Sequence, residues 1–448
     1  GKQRSPRTQT LNPWDGAVRL ASNMGAGSSA AKKAAAEAAE AEAAAAVAVE
    51  DTPFFRKYEM DMSEEGKLGE GSYAVVRRGN EKEKPDVKWA IKCVDKKDLT
   101  EPDLLALQDE VEILGSVNHP NVMRLHESFD EPMYFYLITE LVNGGELFDR
   151  IVAKEAYNEA DAAQLVKIFL QTLEHLHENC VVHRDLKPEN LLLKDEDNDH
   201  EIKLADFGYA VRIDAPEFEE LTDQCGTPGY VAPEIITQQA YGTKVDMWSA
   251  GVIIFILLGG YPPFACPDQN ELYEMIKEGA YEFEEDYWGH ISAEAKDLIS
   301  SLLTVDPNKR PSATEALQHV WINTEGGVLE KQDLGKNLEK LKTFNAKRKM
   351  KATVKTIMLT NKMMGAFGGG GGGMLARLKE QKAKEEAAEA EAVEIEAKLP
   401  DMVDRELAKS ITEEKYSEEK FVELSNEEGL IPKTVFMQIV REGLGVPE

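Results

Sequence analysis

From Tyr58 to Ile322 apolar residues are dense enough for a folded core, and their period changes from segment to segment. Two strand-like runs flank Leu68 to Val76, and Trp89-Ala90-Ile91-Lys92 lies on an alternating strand. The spacing predicts an amphipathic helix over Asp103 to Ser116, while Val182 to Asn190 concentrates charge between two apolar strands. The longest apolar run, Val252 to Leu258, is far shorter than the roughly 20 residues that span a bilayer. Outside this region the pattern fades. Ser29 to Glu50 is rich in Ala and Glu, with high helix propensity but no apolar stripe, which predicts a solvated, partly helical tail. Lys336 to Lys362 is basic, and six consecutive glycines, Gly368 to Gly373, predict a flexible linker. Met374 to Lys398 reads as a solvated helix, and Pro400 to Glu448 has enough apolar residues for a small helical unit. The expected organisation is an unstructured, Ala/Glu-rich segment over 1–57, a globular domain over 58–322, a basic segment over 323–364, a linker over 365–373 and a charged helical tail over 374–448.

Composition narrows the partners. Against 52 Lys and Arg stand 82 Asp and Glu, a formal charge of −30. Such a surface repels nucleic acid and anionic membranes and attracts basic peptides. A merely solvated acidic surface remains an equal alternative until a site demands a positive substrate. Cys93, Cys180, Cys225 and Cys266 form no CxxC pair, and no histidine cluster has zinc spacing. They read as free thiols of a reducing, cytoplasmic compartment. The chain begins at Gly1 rather than Met, which leaves a removed targeting segment open.

The chemistry is carried by spaced motifs. In Leu68-Gly69-Glu70-Gly71-Ser72-Tyr73-Ala74-Val75-Val76, two glycines two apart let a hairpin backbone approach phosphates with no side chain in the way. Glycine-rich turns are common, and Ala74 stands where a third glycine is usual. Lys92 follows 16 residues after Val76. A lysine in a strand is ordinarily a surface residue, but this one follows an apolar triplet and suits the α and β phosphates. Glu110, nine residues before His119-Pro120-Asn121, can pair with Lys92; its competitor Glu112 is expected on the solvent side. Further on come Val182-His183-Arg184-Asp185-Leu186-Lys187-Pro188-Glu189-Asn190 and, 16 residues after Asn190, Asp206-Phe207-Gly208. Unpaired charge between apolar strands is costly, so it calls for partners. Two acids and an amide in adjacent turns can converge on a dication. Phosphoryl transfer needs metal ligands, a carboxylate to orient the attacking hydroxyl and a cation at the γ-phosphate. Asp185 would orient the hydroxyl and accept its proton, Asn190 and Asp206 would bind Mg²⁺, and Lys187 would neutralise the transferring group.

With Ala232-Pro233-Glu234 added, this ordered set resembles the eukaryotic protein kinase family over about Tyr58 to Ile322. The resemblance continues through Asp246-Met247-Trp248-Ser249 and Arg310, whose family role is an ion pair with Glu234. It implies an α+β, bilobal kinase fold with a C-terminal regulatory helix and helical tails, using ATP and Mg²⁺. The hinge would be Glu140-Leu141-Val142 with Thr139 behind the adenine, and Val76, Ala90 and Leu192 match the positions that sandwich the base.

Gly144-Gly145-Glu146-Leu147-Phe148-Asp149 and Cys225 through Glu234 are similar to the calcium/calmodulin-dependent kinases, and Lys187-Pro188-Glu189 indicates serine/threonine specificity. Glu146 and Glu189 match acidic positions that read an arginine three residues before the acceptor; the alternative is that both are simply exposed. Leu341 through Leu359 looks like the regulatory segment of the type II enzymes. Met350, Val354 and Leu359 are spaced one-five-ten, backed by Lys347, Arg348, Lys349, Lys351 and Lys355. Such a basic amphipathic helix suits calmodulin. The alternatives are a helix docked permanently on the acidic body, or one that lies on a membrane. The implied mechanism is autoinhibition relieved by Ca²⁺-calmodulin.

The chain also departs from these families. Type II enzymes have a switch threonine seven residues before the phenylalanine of the regulatory helix; here Asn337 stands there, so that switch is expected to be absent. Nothing after Gly373 resembles the type II association domain, so a ring-shaped oligomer is not supported. Type I relatives carry a phosphorylatable threonine two residues before the cysteine of Cys-Gly-Thr-Pro; here it is Asp223, beside Thr222 and four residues before Thr227. Asp223 is read as a partial phosphate mimic paired with Arg184, with phosphorylation of Thr222 as the alternative. Ser425 to Ile431 faintly resembles an EF-hand, but its glycine is one position early and no glutamate closes the loop. The rival from another class is a kinase-fold scaffold, which loss of Lys92, Asp185 or Asp206 would favour; all three are present.

Overall fold

The computed structural model describes residues 52–349, except 71–73, 98, 155–156, 217–219, 267, 325–328 and 331, together with 402–404 and 430–432. The chain divides into two compact units: one runs to Gly145 and includes Leu192–Val211, and the other holds Glu146–Leu191 and the chain from Arg212.

The first unit is a sheet with a helix. Its strands are β1 (Tyr58–Met60), β2 (Lys67–Glu70), β3 (Ala74–Glu81), β4 (Lys84–Asp95), β5 (Leu125–Asp130) and β6 (Tyr134–Glu140). They run in the order β1-β3-β4-β6-β5, with β2 also pairing β3. Both faces of this pair are covered: Ile91 and Ile138, opposite each other on β4 and β6, lie in one buried cluster with Tyr58 and Tyr136, while Leu137 points to the other face and packs with Val94 and Phe135. The helix Glu101–Ser116 starts where Thr100 and Asp103 close a capping box, the Thr100 N–H reaching Asp103 Oδ2 at 2.8 Å.

The expected boundary at residue 58 needs correcting. A short helix, Pro53–Lys57, precedes β1, and its Phe54 is fully buried. The Phe54 ring stacks on Tyr136 with centroids 3.9 Å apart, and its N–H donates to Glu131 Oε1 at 2.8 Å. The segment has no helical apolar period, because the burial comes from one aromatic ring inserted among Tyr58, Phe129 and Tyr136.

The second unit is helical. Leu147–Val152 leads to the long helix Glu159–Glu178, capped by Asn158 and Asp161. Pro233–Ile236 precedes Lys244–Gly259, which contains the longest apolar run of the chain and is buried from Val245 to Gly259. An all-round apolar helix belongs at the centre of a core. Gln269–Glu278, Glu285–Trp288, Ala293–Leu302, Ala313–Leu317 and Val320–Asn323 follow, and residues 335–349 form a further helix. Arg310 and Glu234 make the expected ion pair, fully buried and bidentate at 2.7 and 3.1 Å. All four cysteines are free, and among the described residues no helix is long and apolar enough to cross a membrane. In the stretch expected to be helical, Met402–Asp404 and Leu430–Pro432 instead pair as antiparallel strands, Val403 opposite Ile431. The rest of both tails lies outside the described residues.

Replacing Phe54 by Ala is expected to destabilise the sheet unit by about 3–5 kcal/mol, the usual effect of emptying a buried aromatic site. A chemical-denaturation curve checks this; a loss under about 1 kcal/mol would show that the helix rests loosely on the sheet.

Candidate active site

Within the sheet unit, β4 carries Lys92 opposite Val76 of β3 and Leu137 of β6. Glu110 projects from the helix Glu101–Ser116 and is only 3% exposed. Its two carboxylate oxygens accept from Lys92 Nζ at 2.9 and 3.0 Å, and Asp206 Oδ1 stands 3.7 Å from the same nitrogen. Burial alone would lower the Lys92 pKa, but the Glu110 and Asp206 carboxylates outweigh it and the pKa is raised. Lys92 is therefore a fixed cation. Glu112 is exposed, as expected.

Ala90 pairs with Thr139, and Ala90, Val76, Val142 and Leu192 are all half-buried. Glu140 Oε1 accepts from Lys203 Nζ at 2.6 Å and from the Arg124 N–H at 2.8 Å, so its half-buried side chain is anchored. Beyond Val142, the Gly144 N–H bonds Leu193 O at 3.0 Å. A Cβ at Gly144 would lie 2.3 Å from Asp195 O, so only glycine allows this approach. Gly69 and Glu70 pair with Val76 and Val75 after a register shift, and Leu68 is exposed. Gly71 lies outside the described residues.

In the helical unit, the loop bearing Asp185 hangs from Asp246. The Asp246 carboxylate is fully buried and accepts from the His183 and Arg184 N–H groups at 2.9 Å each. These bonds hold Arg184 at φ +67°, a left-handed conformation that a non-glycine residue adopts only under such constraint. Asp185 is buried, with Oδ2 accepting from Lys187 Nζ at 2.5 Å and Oδ1 from the Thr227 hydroxyl at 2.6 Å. Asn190 Nδ2 donates to Asp185 O at 2.8 Å. Asn190 thus belongs to the helical unit and Asp206 to the sheet unit.

Arg348 of the helix 335–349 bridges Glu146 and Glu189, with its Nη1 3.0 Å from Glu189 Oε1 and its Nη2 bonded to Glu146. Asp149 pairs with Lys349 and accepts from Asn345 Nδ2 at 2.8 Å. The sequence reading named Glu146 and Glu189 but not Asp149, three residues after Glu146 and next to it along Leu147–Val152. It placed Arg348 among the basic residues of a calmodulin-type helix, with docking on the acidic body as an alternative, and did not pair it with these carboxylates. Asp223 is 80% exposed in its side chain and stands 3.5 Å from Arg184 Nη1. Tyr241, unmarked in the sequence, takes a bond from Arg184 at 3.3 Å and donates to Asp223 O at 2.8 Å. Thr222 is exposed. Met350, Val354 and Leu359 lie outside the described residues.

Residues 62–322 match the family model for the protein kinase domain. The chain is 44% identical over 302 residues to the calcium/calmodulin-dependent protein kinase type II alpha chain of Drosophila melanogaster, covering 67% of this chain and 56% of that one. It is also 44% identical over 299 residues to the type II subunit delta of Oryctolagus cuniculus, covering 67% and 56%. The chain thus spans a little over half the length of these relatives. It belongs to the protein kinase domain family, and within it is similar to the type II calcium/calmodulin-dependent kinases.

Proposed function

We propose that the chain is a serine/threonine protein kinase, that it phosphorylates substrates with a basic Arg-x-x-Ser/Thr pattern, and that its own helix 335–349 restrains it until Ca²⁺-calmodulin removes the restraint. The observation that carries the kinase reading is the buried Asp185 carboxylate, which already receives a hydroxyl proton donor, Thr227, on one oxygen and the Lys187 ammonium on the other.

Asp185 holds a substrate hydroxyl as it now holds Thr227, and takes its proton as the oxygen attacks the γ-phosphorus. The bond from that phosphorus to the β-bridging oxygen breaks, and ADP leaves. Lys187 stabilises charge on the moving group, and Lys92, fixed by Glu110, holds the α and β phosphates. The donor set suits Mg²⁺: Asp206 offers a carboxylate, and Asn190, whose amide nitrogen is bonded to backbone, offers a hard oxygen. Bound Mg²⁺ supplies neutralisation of the phosphate charge.

Glu146 and Glu189 are the carboxylates that would read a substrate arginine, and Arg348 engages both. A tethered guanidinium has an effective concentration of the order of millimolar, so it competes with a free peptide for the same charges. Release by calmodulin requires tighter binding of the freed helix than of the docked one. The similarity of Leu341 through Leu359 to the regulatory segment of type II kinases supports this regulator.

The primary assay is phosphorylation of an Arg-x-x-Ser peptide with Mg²⁺-ATP, in EGTA and then in Ca²⁺-calmodulin. Activity should rise with calmodulin; no activity in either condition would return the chain to the scaffold reading. Asp185→Asn should lower kcat by roughly 10²–10⁴-fold, the range of general-base catalysis. Arg348→Glu should raise basal activity in EGTA about tenfold or more, as loss of one charge-assisted pair allows. Asp223→Ala should reduce basal activity; unchanged activity would sink the idea that its carboxylate stands in for a phosphate.

A further inference from the structure

The helix 335–349 is held in two different ways along its length. Its distal end is held by polar contacts with three acids: ion pairs of Arg348 with Glu146 and Glu189 and of Lys349 with Asp149, and a hydrogen bond from the buried Asn345 amide to Asp149. Its proximal end is part of the core. Leu334, Leu338 and Leu341 are buried, and the Leu334 N–H bonds Tyr157 O at 2.9 Å. Lys340 Nζ lies 3.4 Å from the centre of the Tyr287 ring and 4.3 Å from that of Tyr261. Gly260, at φ +81°, lets this turn approach closely: a Cβ there would stand 2.4 Å from Asn337 O and 2.9 Å from Leu341 N.

Asn337 joins these features. It is buried, and its Nδ2 donates to Leu258 O and to Tyr287 O, both at 2.8 Å. Leu258 lies in the last turn of Lys244–Gly259 and Tyr287 in the last turn of Glu285–Trp288. Carbonyls in the last turn of a helix lack intrahelical partners, so one amide group ties two helix ends to the proximal turn. Only a side chain with two protons on one atom can do this; a threonine hydroxyl, which has one, could serve a single carbonyl. Among the described residues Asn337 Oδ1 has no partner, so the side chain is held by its donors alone.

We propose that Asn337 is a permanent bolt, which makes the proximal turns, 334–341, a fixed part of the helical unit and confines the releasable gate to the residues from 345 onward. The inference rests on the autoinhibitory reading of Arg348 and adds where the moving part begins. The gate opens by bending near Lys342 to Phe344 rather than by lifting the whole helix. Phosphorylation at position 337 itself cannot free the proximal turn, since Asn337 has no hydroxyl.

Hydrogen–deuterium exchange on the full chain tests this, comparing the wild-type protein, Arg348→Glu and Asn337→Ala. Arg348→Glu opens the gate without calmodulin. It should speed exchange over 345–349 and raise basal activity, while exchange over 338–341 stays within about twofold of wild type. Asn337→Ala should speed exchange over 338–341 by about tenfold or more, the effect of losing buried hydrogen bonds. If Arg348→Glu opened both stretches together, the bolt would be overturned while the gate survived. If it changed neither exchange over 345–349 nor activity, the gate would fail. Protection over 338–341 persisting in Asn337→Ala would overturn the bolt by itself.

Discussion

A single buried carboxylate organises the loop that carries Asp185. Asp246 sits on the most buried helix of the helical unit, and its oxygens receive the His183 and Arg184 N–H groups and the ring of His177. Burying a lone carboxylate is strongly unfavourable, and burial does push its pKa up; the His177 bond and charge and the His183 N–H reverse that, and the pKa falls below the ordinary value. The charge is therefore retained and fully bonded. It forces the backbone at Arg184 into a left-handed turn, and that turn places Asp185 beside Lys187 and Thr227. Asp185 is on a loop, but its position is set by a helix buried from Val245 to Gly259.

The candidate site residues could be named in advance because each sits in a short motif with a recognisable spacing. Lys92 on an alternating strand and Glu110, nine residues before His119-Pro120-Asn121 on a periodic helix, could be paired from motif spacing, with Glu112 expected on the solvent side, and the two do pair. What stayed hidden depended on contacts between residues far apart in sequence. Phe54 looked like part of a tail because the rings it packs against beyond its own helix, Tyr58, Phe129 and Tyr136, are spread over three strands. Arg348 carried a basic-helix signal that fits several partners; its engagement with Glu146 joins positions 202 residues apart. Asn337 registered only as a missing hydroxyl, because nothing local reveals that two helix ends converge on it.

The acidic balance of the chain also acquires a location. The two readings of a −30 charge were a solvated surface and a surface for basic ligands. Around Glu146, Asp149 and Glu189 the carboxylates converge, and each engages a cation from the chain's own helix. Three acids that faced only water would repel one another; with Arg348 and Lys349 present the cluster is locally balanced. Elsewhere, exposed acids such as those in Asp195 to Glu201 bond mainly to nearby backbone and side chains and fit the solvated reading.

The stacking of Phe54 on Tyr136 bears on how this domain can be handled as an isolated object. The kinase family match starts at residue 62, beyond the helix Pro53–Lys57 and all of β1. A fragment cut at that boundary would bare the faces of Tyr136 and Phe129 and leave β3 as an unpaired edge where β1 had been. An apolar face beside an open strand edge is a template for self-association. Solubility would thus depend on the ten residues before the family match: starting the fragment at Thr52 keeps the edge paired and the rings covered.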